Sequence, residues 1–175
     1  MLPRFTRITA LIAAAITLLF LASCGNNIDT SNVIKTSEKQ EVAPGTAVSV
    51  NGVIVPIKDF DSQPTVLWFW APNWGQCRSE APAVAELEEI YGEEVQFIGV
   101  PSRGELKEVQ EFISAYAVNG FPHIFDKNRE IWRNYKVPSQ PAWIFVDAAG
   151  NEEQVLGGLN PADLRSKISE LVKSW

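Results

Sequence analysis

Cysteine is scarce in this 175-residue chain, which has two: Cys24 and Cys77. A multi-disulfide scaffold is therefore excluded. Histidine is scarcer still. His123 stands alone, so there is no set of nitrogen and sulfur ligands for a metal centre. Positive charge is also short. Lys and Arg number 15 against 21 Asp and Glu, and the formal charge of −6 excludes the clustered basic surface that nucleic-acid binding needs. Apolar residues are not lacking. At 46% hydrophobic content the chain can build the core of one domain of ordinary size, with appendages.

The N-terminus reads as a targeting signal. "MLPRFTR" is a short basic segment, and the 15 residues "ITALIAAAITLLFLA" form an apolar run of signal-peptide size, marginal for a membrane span. The run ends in "LASC", Leu21–Cys24, which resembles the bacterial lipobox. Cleavage there would remove residues 1–23 and free Cys24 to carry lipid. The alternative is an ordinary signal peptide or signal anchor. Cleavage takes away Arg4 and Arg7 and no acid, so the charge drops by two, from −6 to −8. So acidic a chain is not held to anionic head groups by charge, and the anchor falls to the lipid on Cys24. Lipidation also makes Cys77 the sole thiol. Residues 24–46 are polar and aperiodic and read as a lipidated flexible tether. Residues 47–175 read as the folded domain.

Within that domain, "VSVNGVIVPI" carries β-branched residues around Asn51-Gly52, a hairpin signal. "TVLWFW" (65–70) and "VQFIGV" (95–100) are apolar runs of strand length, suited to central strands buried on both faces. Between them, Ala83, Leu87, Ile90 and Tyr91 fall at helical spacing, and Gly92 stops the pattern. A second helix follows a capping box of Ser102 and Glu105, with Leu106, Val109, Ile113 and Tyr116 as its apolar face. "EIWRNYKV" suggests a short helix, "AWIFVD" a strand, and "EEQVLGG" its hairpin partner. The last helix opens on Asn160 as N-cap and Pro161 at N1, with Leu164, Ile168, Leu171, Val172 and Trp175 on its apolar side. "GFPHIFD", around His123, reads as a strand start. The order β-β-α-β-α-(short α)-β-β-α implies an α/β fold, a three-layer α/β/α sandwich on a mixed sheet.

The segment "FWAPNWGQCRSEAP" places Cys77 at the start of the first helix, where the dipole favours a thiolate. Dithiol chemistry needs a second cysteine one turn away: one sulfur attacks the substrate disulfide and the other resolves the mixed disulfide. The position three before Cys77 holds Trp74. The segment resembles the active-site stretch of the thioredoxin-like superfamily. It is most similar to the membrane-anchored extracytoplasmic thiol-disulfide oxidoreductases, whose pattern is roughly Phe-Trp-Ala-x-Trp-Cys-x-x-Cys-Arg-x-Glu-x-Pro. Phe69, Trp70, Ala71, Cys77, Arg78, Glu80 and Pro82 sit on it. The resemblance gives Cys77 the resolving position, puts Trp74 in the nucleophile's place, and makes Trp74-Gly75-Gln76-Cys77 a degenerate Cys-x-x-Cys. "VPSQPAWIFVD" is similar to the loop that holds a cis-proline opposite the active site. This implies that Gln140–Pro141 is a cis bond lending backbone hydrogen bonds to an extended substrate. A turn before an edge strand is the plainer reading.

The peroxiredoxin pattern Pro-x-x-x-Thr-x-x-Cys is not met, since Gln76 and Ser79 follow Pro72 at the required offsets. Pro82 is expected to kink the first helix and Glu80 to favour its dipole. Trp68, Trp132 and Trp143 are expected in the core. The resemblance calls for no cofactor. It leaves two functions open: a protein-binding or chaperone-like lipoprotein using Trp74, Gln140 and Pro141, or a monothiol oxidoreductase using Cys77. A purely structural membrane subunit is the third. Trp74 is either a contact residue or a side chain folded back to fill a gap. The expected partner is an extracytoplasmic protein or peptide at the outer face of the bacterial cytoplasmic membrane.

Overall fold

The computed structural model describes residues 43–58, 60 and 63–173, all within one compact unit. The signal segment 1–23, Cys24, most of the tether and Trp175 lie outside the described residues. β1 (Thr46–Val48) and β2 (Ile54–Pro56) form an antiparallel hairpin. Its connection spans five residues rather than a two-residue Asn-Gly turn, because Ser49 and Val53 close it through Ser49 N–H to Val53 O at 2.8 Å. The hairpin supplies two strands where the sequence order counted one.

The main sheet runs β4 (Gln96–Pro101), β3 (Thr65–Trp70), β5 (Ala142–Val146), β6 (Glu152–Leu156). β3 pairs parallel with β4 and antiparallel with β5, which makes the sheet mixed. All six β3 residues are buried, as a strand sandwiched on both faces requires. Period-two alternation divides them. Val66, Trp68 and Trp70 pack against α1 (Gly75–Tyr91), α2 (Leu106–Ala115) and α4 (Pro161–Lys173), while Leu67 and Phe69 pack against α3 (Glu130–Asn134) and β2. The three-layer α/β/α sandwich follows. Residues 122–126 run along the outer edge of β4, with a parallel bridge from His123 to Gly99 rather than a full strand. Val50 N–H donates to His123 O at 2.7 Å, which ties the hairpin to that edge.

Two helix faces are rotated from their expected positions. In α1 the buried residues are Cys77, Glu80, Ala81, Val84 and Leu87, whereas Ile90 is 51% exposed. Cys77 and Glu80 belong to the i, i+3, i+4 stripe, and an apolar-only count misses them. In α2 Phe112 joins Val109 and Ile113 in the core and Leu106 is 43% exposed, because the helix starts later than the Ser102 cap implies. The capping box is Glu105 with Glu108. Ser102 is buried, and its hydroxyl donates to Asp126 O at 2.8 Å. α1 continues through Pro82, whose exposed ring faces solvent. α4 opens as its sequence suggests, with Asp163 N–H donating to Asn160 Oδ1 at 3.0 Å.

Candidate functional site

The site is built where β3 ends and α1 begins. Trp70 closes the strand, Ala71–Asn73 turn the chain, and Trp74 stands at the N-cap of α1 in extended backbone, φ −100° and ψ 121°. Trp74 offers no side-chain cap. Its side chain is 48% exposed, so it does not fold back to fill the core. The turn is pinned from the side: Asn73 Nδ2 donates to Glu108 Oε1 at 2.9 Å, and Pro72 packs so close to Gly104 that a Cβ there would lie 2.6 Å from its Cγ. Glu108 also accepts from Glu105 N–H at 2.7 Å. The bond from Asn73, then that from Glu105, holds the Glu108 carboxyl below its ordinary pKa. A cleft of about 240 Å³ opens between this turn and α2, with Pro72, Arg78, Phe112 and Tyr116 among its walls.

Cys77, one turn into α1, is wholly buried. Burial pushes its thiol up to about 12; the Ala71 backbone opposes the shift and the nearby Glu80 carboxylate adds to it. At pH 7 the thiol is held in its protonated form. The helix dipole that would activate an exposed thiol here is outweighed by desolvation.

Beneath Cys77 lies Glu80, 5% exposed. Sequence reasoning gave it only a dipole role. Instead its Oε1 accepts from Leu159 N–H at 2.8 Å, which ties α1 to the loop after β6. Burial raises its pKa to about 7, against the Leu159 bond and the indole of Trp68. Trp68 Nε1 is near the carboxyl but outside good hydrogen-bond geometry, so Glu80 Oε2 and Trp68 Nε1 both remain unpartnered. The signal available in sequence was an acid on the buried stripe of a helix.

The same loop reaches the proline. The Gln140–Pro141 bond is cis, and Pro141 O accepts from Gly157 N–H at 3.0 Å. Gly157 has φ +93°, and Gly158 lies so tightly over α1 that a Cβ would fall 2.0 Å from Gln76 Nε2 and 2.4 Å from Glu80 Oε1. Pro141, Gly157–Leu159 and the first turns of α1 are therefore mechanically continuous. The role of the Gly-Gly pair was missed, although two glycines closing a strand were visible in the sequence. Gln140 is half-buried with Oε1 unpartnered. His123 is held elsewhere: its Nε2 pairs with Val118 O at 2.6 Å, and burial lowers its pKa to about 4.

A family model described as AhpC/TSA matches residues 39–153, well over half of the chain. The chain belongs to the AhpC/TSA family. This redoxin is 30% identical to the soluble secreted antigen MPT53 of Mycobacterium tuberculosis over 140 residues, covering 80% of this chain and 76% of that one. Among solved structures it is similar to MTB DsbF in its mixed oxidised and reduced forms, at 33% identity and a TM-score of 0.69, covering 72% of this chain and 93% of that one. It is also similar to a secreted Mycobacterium tuberculosis disulfide oxidoreductase homologous to E. coli DsbE, at 30% identity and a TM-score of 0.67, covering 72% and 95%. The thioredoxin-like fold and its kinship with thiol-disulfide oxidoreductases are thereby shown. Membership does not bring the peroxidatic pattern into this redoxin, where Gln76 and Ser79 stand at the Thr and Cys offsets from Pro72.

Proposed function

We propose that this redoxin is a lipid-anchored docking module of the thiol-disulfide oxidoreductase lineage. It holds an extended segment of an extracytoplasmic protein between Trp74 and Gln140–Pro141, without dithiol chemistry. The observation that carries this reading is the exchange of exposure at the active turn. The outer position bears an exposed indole, and the only thiol of the described domain is fully buried with its pKa pushed up to about 12. A half-exposed Trp on a rigid helix start is the kind of apolar anchor that dominates protein contacts. In the proline loop Pro141 O is taken by Gly157 N–H, so the residue that would meet an extended strand is the half-buried Gln140. Outer-face placement through Cys24 rests on the lipobox-like "LASC" and agrees with the secreted character of MPT53 and the DsbE homologue.

The test is binding of a permanently unfolded, fluorescently labelled model protein, measured by anisotropy. Parent protein should bind, Trp74→Ala should bind about tenfold or more weakly, and Cys77→Ser should bind as the parent does. Equal binding by parent and Trp74→Ala removes the docking role. Disulfide reduction by the parent that disappears in Cys77→Ser would favour the monothiol oxidoreductase.

A further inference from the structure

On a chain with six more acids than Lys and Arg, the stretch 127–136 reverses the sign, carrying Lys127, Arg129, Arg133 and Lys136 against Glu130 alone. Arg129, Arg133 and Lys136 are exposed, and Arg103 joins them from the β4–α2 loop. The backbone brings the three into successive turns: Arg133 N–H donates to Arg129 O and Lys136 N–H to Arg133 O. Arg103 lies across the ring of Trp132 at 5.8 Å and donates to Pro138 O at 3.1 Å, so the basic face runs on to the loop that ends in Gln140–Pro141. Lys127 is occupied by Glu105 at 3.7 Å. Among the described residues the other four cations form no ion pair.

The backbone adds a second observation. Four described non-glycine residues have left-handed φ, and three are cations of this face: Arg103 at 57°, Arg129 at 56° and Lys136 at 54°. That region is strained for L side chains and favours Gly or Asn. Lys136 takes the left-handed position that closes α3, with Val137 N–H donating to Trp132 O at 2.8 Å and Lys136 N–H to Arg133 O at 3.0 Å, as Ala117 does for α2, so its φ is a helix cap, while Arg103 and Arg129 occupy exposed loop positions.

We infer that the α3 face, formed by Arg103, Arg129, Arg133 and Lys136, docks an acidic segment of the partner protein beside Gln140–Pro141. This rests on the docking reading above and adds the partner's charge class. A negative segment meets guanidinium and ammonium groups that have no carboxylate partner here, although Arg133 Nη1 also donates to Asn128 O at 2.7 Å, and such charge complementarity favours fast encounter.

The probe is a fluorescein-labelled peptide of six Asp and Glu residues, titrated against the full chain in non-ionic detergent. Binding should weaken steeply as salt rises. It should be about tenfold or more weaker in Arg129→Gly/Arg133→Gln/Lys136→Gly, whose Tm should match or exceed the parent's because the glycines relieve the left-handed positions. Arg133→Gln alone, in ordinary helical backbone, should weaken binding with at most a small drop in Tm from losing the exposed bond of Arg133 Nη1 to Asn128 O. Trp74→Ala should leave peptide affinity intact, so failure of the indole anchor and failure of the basic face are separable. Absence of peptide binding by the parent, equal binding by the variants, or a triple-variant Tm well below the parent's would overturn the proposal. Binding to phosphatidylglycerol vesicles through these residues, without peptide binding, would overturn it in favour of a lipid surface.

Discussion

At the scale of single residues, two buried titratable groups act in opposite directions on stability. Glu80 has its pKa raised to about 7 from an ordinary 4.5, chiefly by burial, so the native state binds more protons than the unfolded state between those values. Its contribution is fully present below pH 4.5 and is lost as pH rises through 7. His123 has its pKa lowered to about 4 from 6.5, again by burial, so its contribution is present above pH 6.5 and lost as pH falls through 4. The two slopes nearly cancel between pH 4.5 and 6.5. Glu80→Gln keeps an acceptor for Leu159 N–H and removes one slope. Denaturant titrations across pH should then show stability rising from pH 4 to 6.5. Above pH 7 the variant should be about 2–3 kcal/mol more stable than the parent. An unchanged profile would show that Glu80 is not the buried acid described.

At the scale of elements, α1 decides the chemistry. Its first turn places positions 74 and 77 at the spacing a Cys-x-x-Cys disulfide uses, where Cα atoms of residues three apart fall within bridging range. Trp74→Cys should therefore form a disulfide with Cys77 under oxidising conditions, leaving no titratable thiol in a Cys24→Ser background. A persistent free thiol pair in the folded, oxidised protein would contradict the register. The contact between β4 and the 122–126 edge gives a second prediction. A Cβ at Gly99 would lie 2.0 Å from His123 Nδ1, inside the fully buried cluster with Trp70. Gly99→Ala should destabilise the domain by about 1–3 kcal/mol in denaturant unfolding, the cost of overfilling a close-packed core.

The central strands β3 and β4 were legible as long apolar runs and the start of α4 from Asn160-Pro161, whereas the hairpin holds two strands where one was counted and the stretch around His123 makes a bridge rather than a strand. The faces of α1 and α2 were less legible. Cys77 and Glu80 occupy the buried stripe as polar members, and Ser102 has the residue type and spacing of a cap while its hydroxyl turns inward to Asp126 O. Of the site, position 74 and the Gln140–Pro141 loop could be read from motifs. The exposure of Trp74, the burial of Cys77 and the clamp of Gly157–Leu159 on Glu80 could not. They depend on which side of α1 meets the sheet, and that is set by packing between elements distant in sequence.

At the scale of the whole molecule, the redoxin keeps the layered scaffold of its family, with Trp68 stacked between Trp70 and Trp143 at 5.4 and 5.6 Å beneath the active turn. Above that layer Trp74 is half exposed and Cys77 is buried. That exposure pattern is what the proposed docking role rests on. The most direct test of this account is the reactivity of Cys77 in the native Cys24→Ser protein towards a chromogenic disulfide reagent at pH 7–8. The account predicts no reaction in the folded state and one thiol released on denaturation. Reaction in the folded state at the rate of a free cysteine would contradict it.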